Sequence, residues 1–200
     1  MKIGLLGGTF DPPHRGHLHL AQMADHALGL HRILFIPCKR QPLKESRPAA
    51  SDGHRCAMLS LALRKHPDWL LSTMELDRAG RITTTWRTVQ ALRADYPSDD
   101  LYLLVGADGL ENFHKWRRWR EILSHVSLVA APRQPDHLPR IPKPLSGFDV
   151  SILEAPPRPA ASSEIRTRLG RGEPVDQWLT KPVRRYIRKH SLYEEQKEER

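Results

Sequence analysis

Cysteine is scarce: Cys38 and Cys56 are the only two in 200 residues. Neither sits in a paired CxxC, so thiolate metal sites and dithiol redox chemistry lack their usual ligands, and a disulfide scaffold is excluded. Cys56 is expected in the core and Cys38 in a loop. Long apolar runs are also missing. None approaches the roughly 18 residues of a membrane span, so no membrane partner is expected. The opening Met1-Lys2-Ile3-Gly4-Leu5-Leu6 is too soon interrupted by glycine to serve as a secretory signal. A cytoplasmic protein is the expectation. Acidic residues are in deficit, 23 against 32 Lys plus Arg, for a formal charge of +9. That balance favours anionic partners, whether nucleic acid, lipid or small phosphorylated molecules. Between positions 158 and 189 nine basic residues face three acidic ones, so the last third carries much of the field.

What is present suits one domain over residues 1–193, with a helical C-terminal part at about 160–193 and a frayed charged tail at 194–200. Hydrophobic residues, at 39%, can fill a core, while 17 prolines and 28% charged residues imply long polar loops around it. Short β-branched runs alternate with helical periodicities. Strands are predicted over 2–6, 33–37, 70–76, 101–105, 126–131 and 150–153. Helices are predicted over 17–28, from a Ser51 cap to about 65, over 84–94, around 110–123, and near 163–171 and 182–190. Five prolines make 132–144 an irregular loop. Alternating strands and helices imply right-handed βαβ units: an α/β, Rossmann-like parallel sheet with helices on both faces and a small helical C-terminal extension. Ligands of such sheets bind outside the carboxyl ends of the strands.

The sharpest motif lies where the first strand ends: Gly7-Gly8-Thr9-Phe10-Asp11-Pro12-Pro13-His14-Arg15-Gly16-His17. Gly7 and Gly8 allow a tight turn and a close approach of substrate to the backbone. The helix that starts near Gly16 offers free amides and a dipole to phosphate. His14 and His17, three apart, share one side of that helix start and can donate to phosphate oxygens. An isolated His-x-Gly-His more often just caps a turn. Its place at a glycine-rich strand-to-helix junction favours function here.

This segment resembles the nucleotidylyltransferase signature of the HxGH superfamily, in the form found in bacterial nicotinate-nucleotide adenylyltransferases. The likeness runs through Arg55-Cys56-Ala57-Met58-Leu59, Glu75-Leu76, Gly106-Ala107-Asp108, Trp116, Pro182-Val183-Arg184-Arg185-Tyr186-Ile187 and the closing Leu192-Tyr193. It implies transfer of AMP from ATP to nicotinic acid mononucleotide, without a covalent intermediate and with pyrophosphate leaving. Such chemistry asks for positioning and charge stabilisation. No metal-binding motif is seen, so Mg2+ is expected to arrive with ATP.

The resemblance also implies residue roles. Gly7, Gly8, Thr9, Phe10, His14, His17, Gly106, Asp108, Ser162, Ser163 and Arg166 would bind ATP. His14, His17, Lys44 and Arg166 would act on the reacting phosphates, with His17 stabilising charge there. Lys44 occupies the basic position of a loop whose family pattern is Pro-Pro-His-Lys or Arg; Gln41 and Leu43 depart from it, and a solvated lysine is an equal reading. Asp108 would take ribose hydroxyls, or merely cap a helix. Trp116 would stack on the pyridine ring, whereas Trp119 is expected in the core. Thr83-Thr84-Thr85 matches a family Ser-Tyr-Thr that receives the nicotinate carboxylate; the tyrosine is missing, and N-capping alone also explains threonines there. Ser162-Ser163-Glu164-Ile165-Arg166 matches a phosphate-gripping segment, although Ala160-Ala161 replaces its Ile-Ser.

Two rivals compete. Pantetheine-phosphate adenylyltransferases and cytidylyltransferases share the glycine and histidine motif, but the Trp116 segment, the Tyr186 helix and the Leu192-Tyr193 ending argue against them. A basic nucleic-acid-binding protein is suggested by His114-Lys115-Trp116-Arg117-Arg118-Trp119-Arg120, yet the βαβ site accounts for the same residues and no nucleic acid is expected.

Overall fold

The computed structural model describes residues 1–39, 47–76, 84–132, 139–154 and 161–194. Six parallel strands form one sheet, with β1 (Lys2–Gly8), β2 (Arg32–Pro37), β3 (Trp69–Leu71), β4 (Asp100–Gly106), β5 (Ser127–Ala131) and β6 (Val150–Ile152) in the order β3-β2-β1-β4-β5-β6. The near-continuous apolar runs of the central strands follow from this order, because parallel strands are covered on both faces. In β1, Ile3 and Leu5 lie opposite Arg32 and Leu34 on one side and Leu101 and Leu103 on the other. A Cβ on Gly4 would come within 2.9 Å of Leu30, so glycine there lets the loop before β2 close onto the strand.

Helices α1 (Arg15–Leu28), α2 (Asp52–Leu63), α3 (Thr85–Asp95), α4 (Ala107–Glu111), α5 (Trp119–Leu123), α6 (Ser162–Gly170) and α7 (Lys181–Lys189), with two short 3-10 turns, complete the described elements. Gly29 ends α1 in the left-handed conformation, φ 62°, its amide donating to the Asp25 carbonyl at 2.8 Å. Ser51 caps α2 as expected, its hydroxyl accepting from the His54 amide. One core cluster, with Leu34, Val89, Leu103 and Leu128, and a second, with Ala21, Phe35, Leu59 and Val129, hold helices against the sheet. A third joins α2 to the C-terminal helices through Met58, Ala62, Ile165, Leu179, Val183 and Ile187, all buried.

Three expectations change. The strand predicted over 70–76 shrinks to Trp69–Leu71 at the sheet edge; after the Ser72 amide bonds Phe35, the Leu76 amide turns back to Thr73. The helical stretch around 110–123 breaks into α4, a 3-10 turn at Phe113–Lys115, and α5, because Trp116 is extended and Arg118 is left-handed at φ 56°. Cys56 is half-exposed and not a core residue.

Candidate active site

β1 and β4 lie side by side at the centre of the sheet, and the chain leaves them toward opposite edges. This is the topological switch point, where a crevice opens beyond the strand ends. The described residues enclose a cavity of about 690 Å³ there, within the size range of ligand sites.

The signature turn after β1 is fastened from several directions. Fully buried Arg55 of α2 donates from Nη1 to the Thr9 carbonyl at 2.5 Å and from Nη2 to Asp52 at 2.6 Å. Asp11, only 3% exposed, accepts the amides of Ala49 and Ala50 at 2.7 and 3.1 Å and the Tyr193 hydroxyl at 2.7 Å. Arg166 Nη1 donates to the Asp11 carbonyl at 2.8 Å, and the Ser162 hydroxyl to the Pro12 carbonyl at 3.1 Å. The Arg15 amide reaches the Trp178 carbonyl at 2.7 Å. Arg166 and the Ser162 hydroxyl of α6 thus bond the same turn that leads into α1.

Gly7 and Gly8 remain in β1 without positive φ, so the turn does not use their conformational freedom; its left-handed residue is Phe10, at φ 50°. What Gly7 supplies is space. A Cβ there would meet no protein atom within 4 Å, and the backbone lines the cavity. Phe10, expected from the resemblance to bind ATP, lies apart from the cavity lining. Its side chain is completely buried, edge-on beneath His17 at 4.9 Å between ring centres and tilted against Phe35, and it does not line the cavity. It packs against His17, and its neighbours Gly8 and Thr9 line the cavity.

His14 and His17 stack, with ring centres 3.7 Å apart, at the start of α1. The His14 amide donates to His17 Nδ1 at 3.2 Å. That bond requires a bare Nδ1 and leaves the proton of a neutral imidazole on Nε2. Burial first, and the neighbouring His14 second, hold the His17 pKa well below its usual 6.5. His17 is therefore a neutral, pre-aimed N–H donor on the cavity wall.

Thr9, Gly8, Gly106, Asp108, Ser162, Ser163 and Arg166 line the same cavity, as sequence reasoning expected of an ATP site. So do Thr84, Thr85 and Trp116, expected for the acceptor. Thr84 is the N-cap residue of α3 and Thr85 its first helical residue. Trp116 is half-buried, packed on Phe113 with ring centres 4.8 Å apart, and lines the cavity. Trp119 packs on Phe148 away from that lining. Lys44 and Thr83 lie outside the described residues. Lys115 and Arg117, which suggested nucleic acid in the sequence, belong to the cavity wall. Sequence reasoning missed the parts played by Asp11, Arg55 and Tyr193. All three fall in segments that carry the family likeness, but only Arg55 shows a periodic signal, since it shares the i, i+3, i+4, i+7 stripe of α2 with Met58, Leu59 and Ala62.

Among the described residues no three His, Cys, Asp or Glu side chains converge to hold a metal ion, and no helix is long and apolar enough to cross a membrane.

A cytidylyltransferase-like family model matches residues 5–168. The nicotinate-nucleotide adenylyltransferase of Bacillus subtilis is 35% identical over 193 residues, covering 96% of this chain and 98% of the relative. A probable nicotinate-nucleotide adenylyltransferase of Neisseria meningitidis is 37% identical over 201 residues, with the same coverage. In fold, the chain superposes on Plasmodium falciparum nicotinic acid mononucleotide adenylyltransferase complexed with NaAD at a TM-score of 0.78, with 19% identity over 96% of this chain and 97% of that one. The same parasite enzyme complexed with APC gives 0.76 at 18% identity, with 96% of each chain covered. The family match spans the signature turn at the switch point, and the chain belongs to the cytidylyltransferase-like nucleotidyltransferases, in the nicotinate-nucleotide adenylyltransferase family.

Proposed function

We propose that the protein transfers AMP from MgATP to nicotinic acid mononucleotide, forming nicotinic acid adenine dinucleotide and pyrophosphate in NAD biosynthesis. The observation that carries this reading is the convergence on one cavity of two phosphate-binding devices. The His14–His17 pair opens α1, and Ser162, Ser163 and Arg166 sit on the first turns of α6. Helix starts, the neutral His17 N–H donor and one guanidinium suit a triphosphate better than an uncharged ligand.

The acceptor phosphate is already an anion at neutral pH, so no strong general base is needed. Its oxygen attacks the α-phosphorus of ATP in line, one new P–O bond forms, and the bond to the β-phosphate breaks to release pyrophosphate. His17 Nε2–H, supported by His14, meets charge that builds on the phosphates as the leaving group departs. Lys44 is proposed as a further cation for them. Magnesium enters as part of the substrate. Asp108 and the open backbone at Gly106 take the adenosine side, with Asp108 accepting from ribose hydroxyls.

On the other wall, Trp116 offers an indole face to the pyridine. The start of α3 at Thr84 and Thr85, with Thr83 before it, offers amides and hydroxyls to the carboxylate. Amides and nearby cations favour nicotinate over the neutral amide form. The reaction is assigned to the cytoplasm, in keeping with two cysteines that form no disulfide.

The test is pyrophosphate release from ATP across a panel of phosphorylated acceptors. Nicotinic acid mononucleotide should be turned over faster than the nicotinamide form. Equal or better turnover of the amide would refute the preference, and turnover with phosphopantetheine alone would refute the assignment.

A further inference from the structure

The side chain of Asp11 is in contact with four groups: the amides of Ala49 and Ala50, the Tyr193 hydroxyl and the Arg166 guanidinium. The first three are hydrogen bonds. The fourth is not, because Arg166 Nη1 stands 3.8 Å from Asp11 Oδ2, beyond hydrogen-bond reach. Arg166 makes a single hydrogen bond among the described residues, from Nη1 to the Asp11 backbone carbonyl. Its side chain is one-third exposed and lines the cavity. The guanidinium is therefore tethered to the signature turn without being bonded to the carboxylate beside it.

A carboxylate this close to a guanidinium gains most by turning to form a two-pronged pair. The Ala49 amide holds Oδ2, the oxygen nearer Arg166, while the Ala50 amide and the Tyr193 hydroxyl hold Oδ1. Tyr193 comes from 182 positions away, at the far end of the described chain. Beyond α7 the Leu192 amide bonds back to Ile187, and both Ser191 and Tyr193 adopt left-handed backbone, φ 47° and 67°. A bulky aromatic rarely does so unless its surroundings hold it there. Burial, and then the Asp11 charge and hydrogen bond, push the phenol far above its ordinary range. The hydroxyl therefore stays a donor throughout the working pH range.

We propose that Tyr193 is a positioning residue for adenylyl transfer: its hydroxyl holds Asp11 at ion-pair distance from Arg166 but short of a two-pronged hydrogen-bonded pair, and so leaves guanidinium N–H donors available to the triphosphate. The proposal rests on the reading of Arg166 as an ATP-phosphate contact. Without the hydroxyl, Asp11 swings toward Arg166, and ATP must compete with a buried carboxylate for that cation. Tyr193 has no part in holding the acceptor.

The experiment is a double-mutant cycle on MgATP affinity, read by titration calorimetry without acceptor, for wild type, Tyr193→Phe, Arg166→Ala and the double variant. Tyr193→Phe keeps the ring and removes only the hydroxyl. It should weaken MgATP binding about five- to tenfold, the worth of one ordinary hydrogen bond. Its KM for nicotinic acid mononucleotide should stay within about twofold, and its melting temperature within a few degrees of wild type. On the Arg166→Ala background the same change should have almost no effect, because the group through which it acts is gone. Unaltered ATP affinity in Tyr193→Phe would overturn the proposal. So would a loss that adds in full to that of Arg166→Ala, or a variant that unfolds, since either marks a structural role alone. Wild-type protein that binds MgATP yet releases no pyrophosphate with nicotinic acid mononucleotide would refute the assigned reaction, while the ATP cycle would still decide the part played by Tyr193.

Discussion

Replacing His17 with alanine separates a catalytic turn from one that merely folds. The ring lies between two neighbours, stacked on His14 at 3.7 Å and edge-on to Phe10 at 4.9 Å, and takes one hydrogen bond, from the His14 amide to Nδ1. Removing it costs that bond and part of the stacking, about 1 kcal/mol, which for a chain of this length lowers Tm by roughly 2–4 °C. The kinetic loss should be much larger. Nε2–H is pre-aimed by the amide bond, so on the proposed mechanism it meets developing charge without reorganising; one such donor is worth about 10²–10³ in kcat, or roughly 3–4 kcal/mol. Because the bond strengthens in the transition state, kcat should fall far more than KM rises. Initial rates of pyrophosphate release at saturating ATP and nicotinic acid mononucleotide, beside a thermal melt, measure both effects. A folded variant with near-normal kcat would remove His17 from the mechanism.

The remaining expectations concern neighbouring groups. Trp116→Ala should weaken acceptor binding by about 1–3 kcal/mol, the worth of a base–aromatic stack, while ATP affinity holds; equal loss of both ligands in calorimetry would make Trp116 a packing residue. Because burial and His14 lower the His17 pKa well below 6.5, the unfolded chain takes a proton near pH 6.5 that the folded one refuses, so stability is full above about 6.5 and declines as pH falls below it. His17→Asn should reduce that decline, which is at most about 1.4 kcal/mol per pH unit for one group; identical slopes in denaturant titrations at about pH 5.5 and 7.5 would contradict the placement of His17. Arg55→Met leaves the Thr9 carbonyl without its buried donor and should destabilise the fold by about 2–3 kcal/mol while slowing turnover, and an unchanged denaturation midpoint would show the contact to be dispensable.

The parts of this molecule that were readable in its sequence are those whose causes are local or periodic. Residues 101–105 announce a buried parallel strand because both faces of β4 are covered, and an unbroken Leu-Tyr-Leu-Leu-Val run survives only there. The order of strands and helices then puts the end of β1 at the switch point, and with it the His14–His17 pair. The break in the 110–123 stretch was hidden because it depends on the extended backbone of Trp116 and the left-handed Arg118, and neither residue type signals such a conformation. The placement of the Phe10 ring was hidden for a related reason. Proximity in sequence to ligand-binding residues says nothing about which side of the backbone a ring takes, and the positive φ of Phe10 goes with a ring that lies under His17.

Long-range polar contacts were hidden more completely, and they decide how the site is held. Neither Asp11 nor Tyr193 has a pattern that names the other, because a hydrogen bond across 182 positions leaves no periodicity. Yet the turn depends on such contacts more than on its glycines. Arg55 fixes it from α2, Ser162 and Arg166 from α6, Trp178 from the segment before α7, and Tyr193 from the segment after it. A short loop with one left-handed residue has little stability of its own. Its precision comes from buried donors and acceptors supplied by separate elements, each costly to leave unpaired. The C-terminal helices therefore act as part of the proposed phosphate site, and a substitution in the third core cluster should reach the chemistry by slackening the turn.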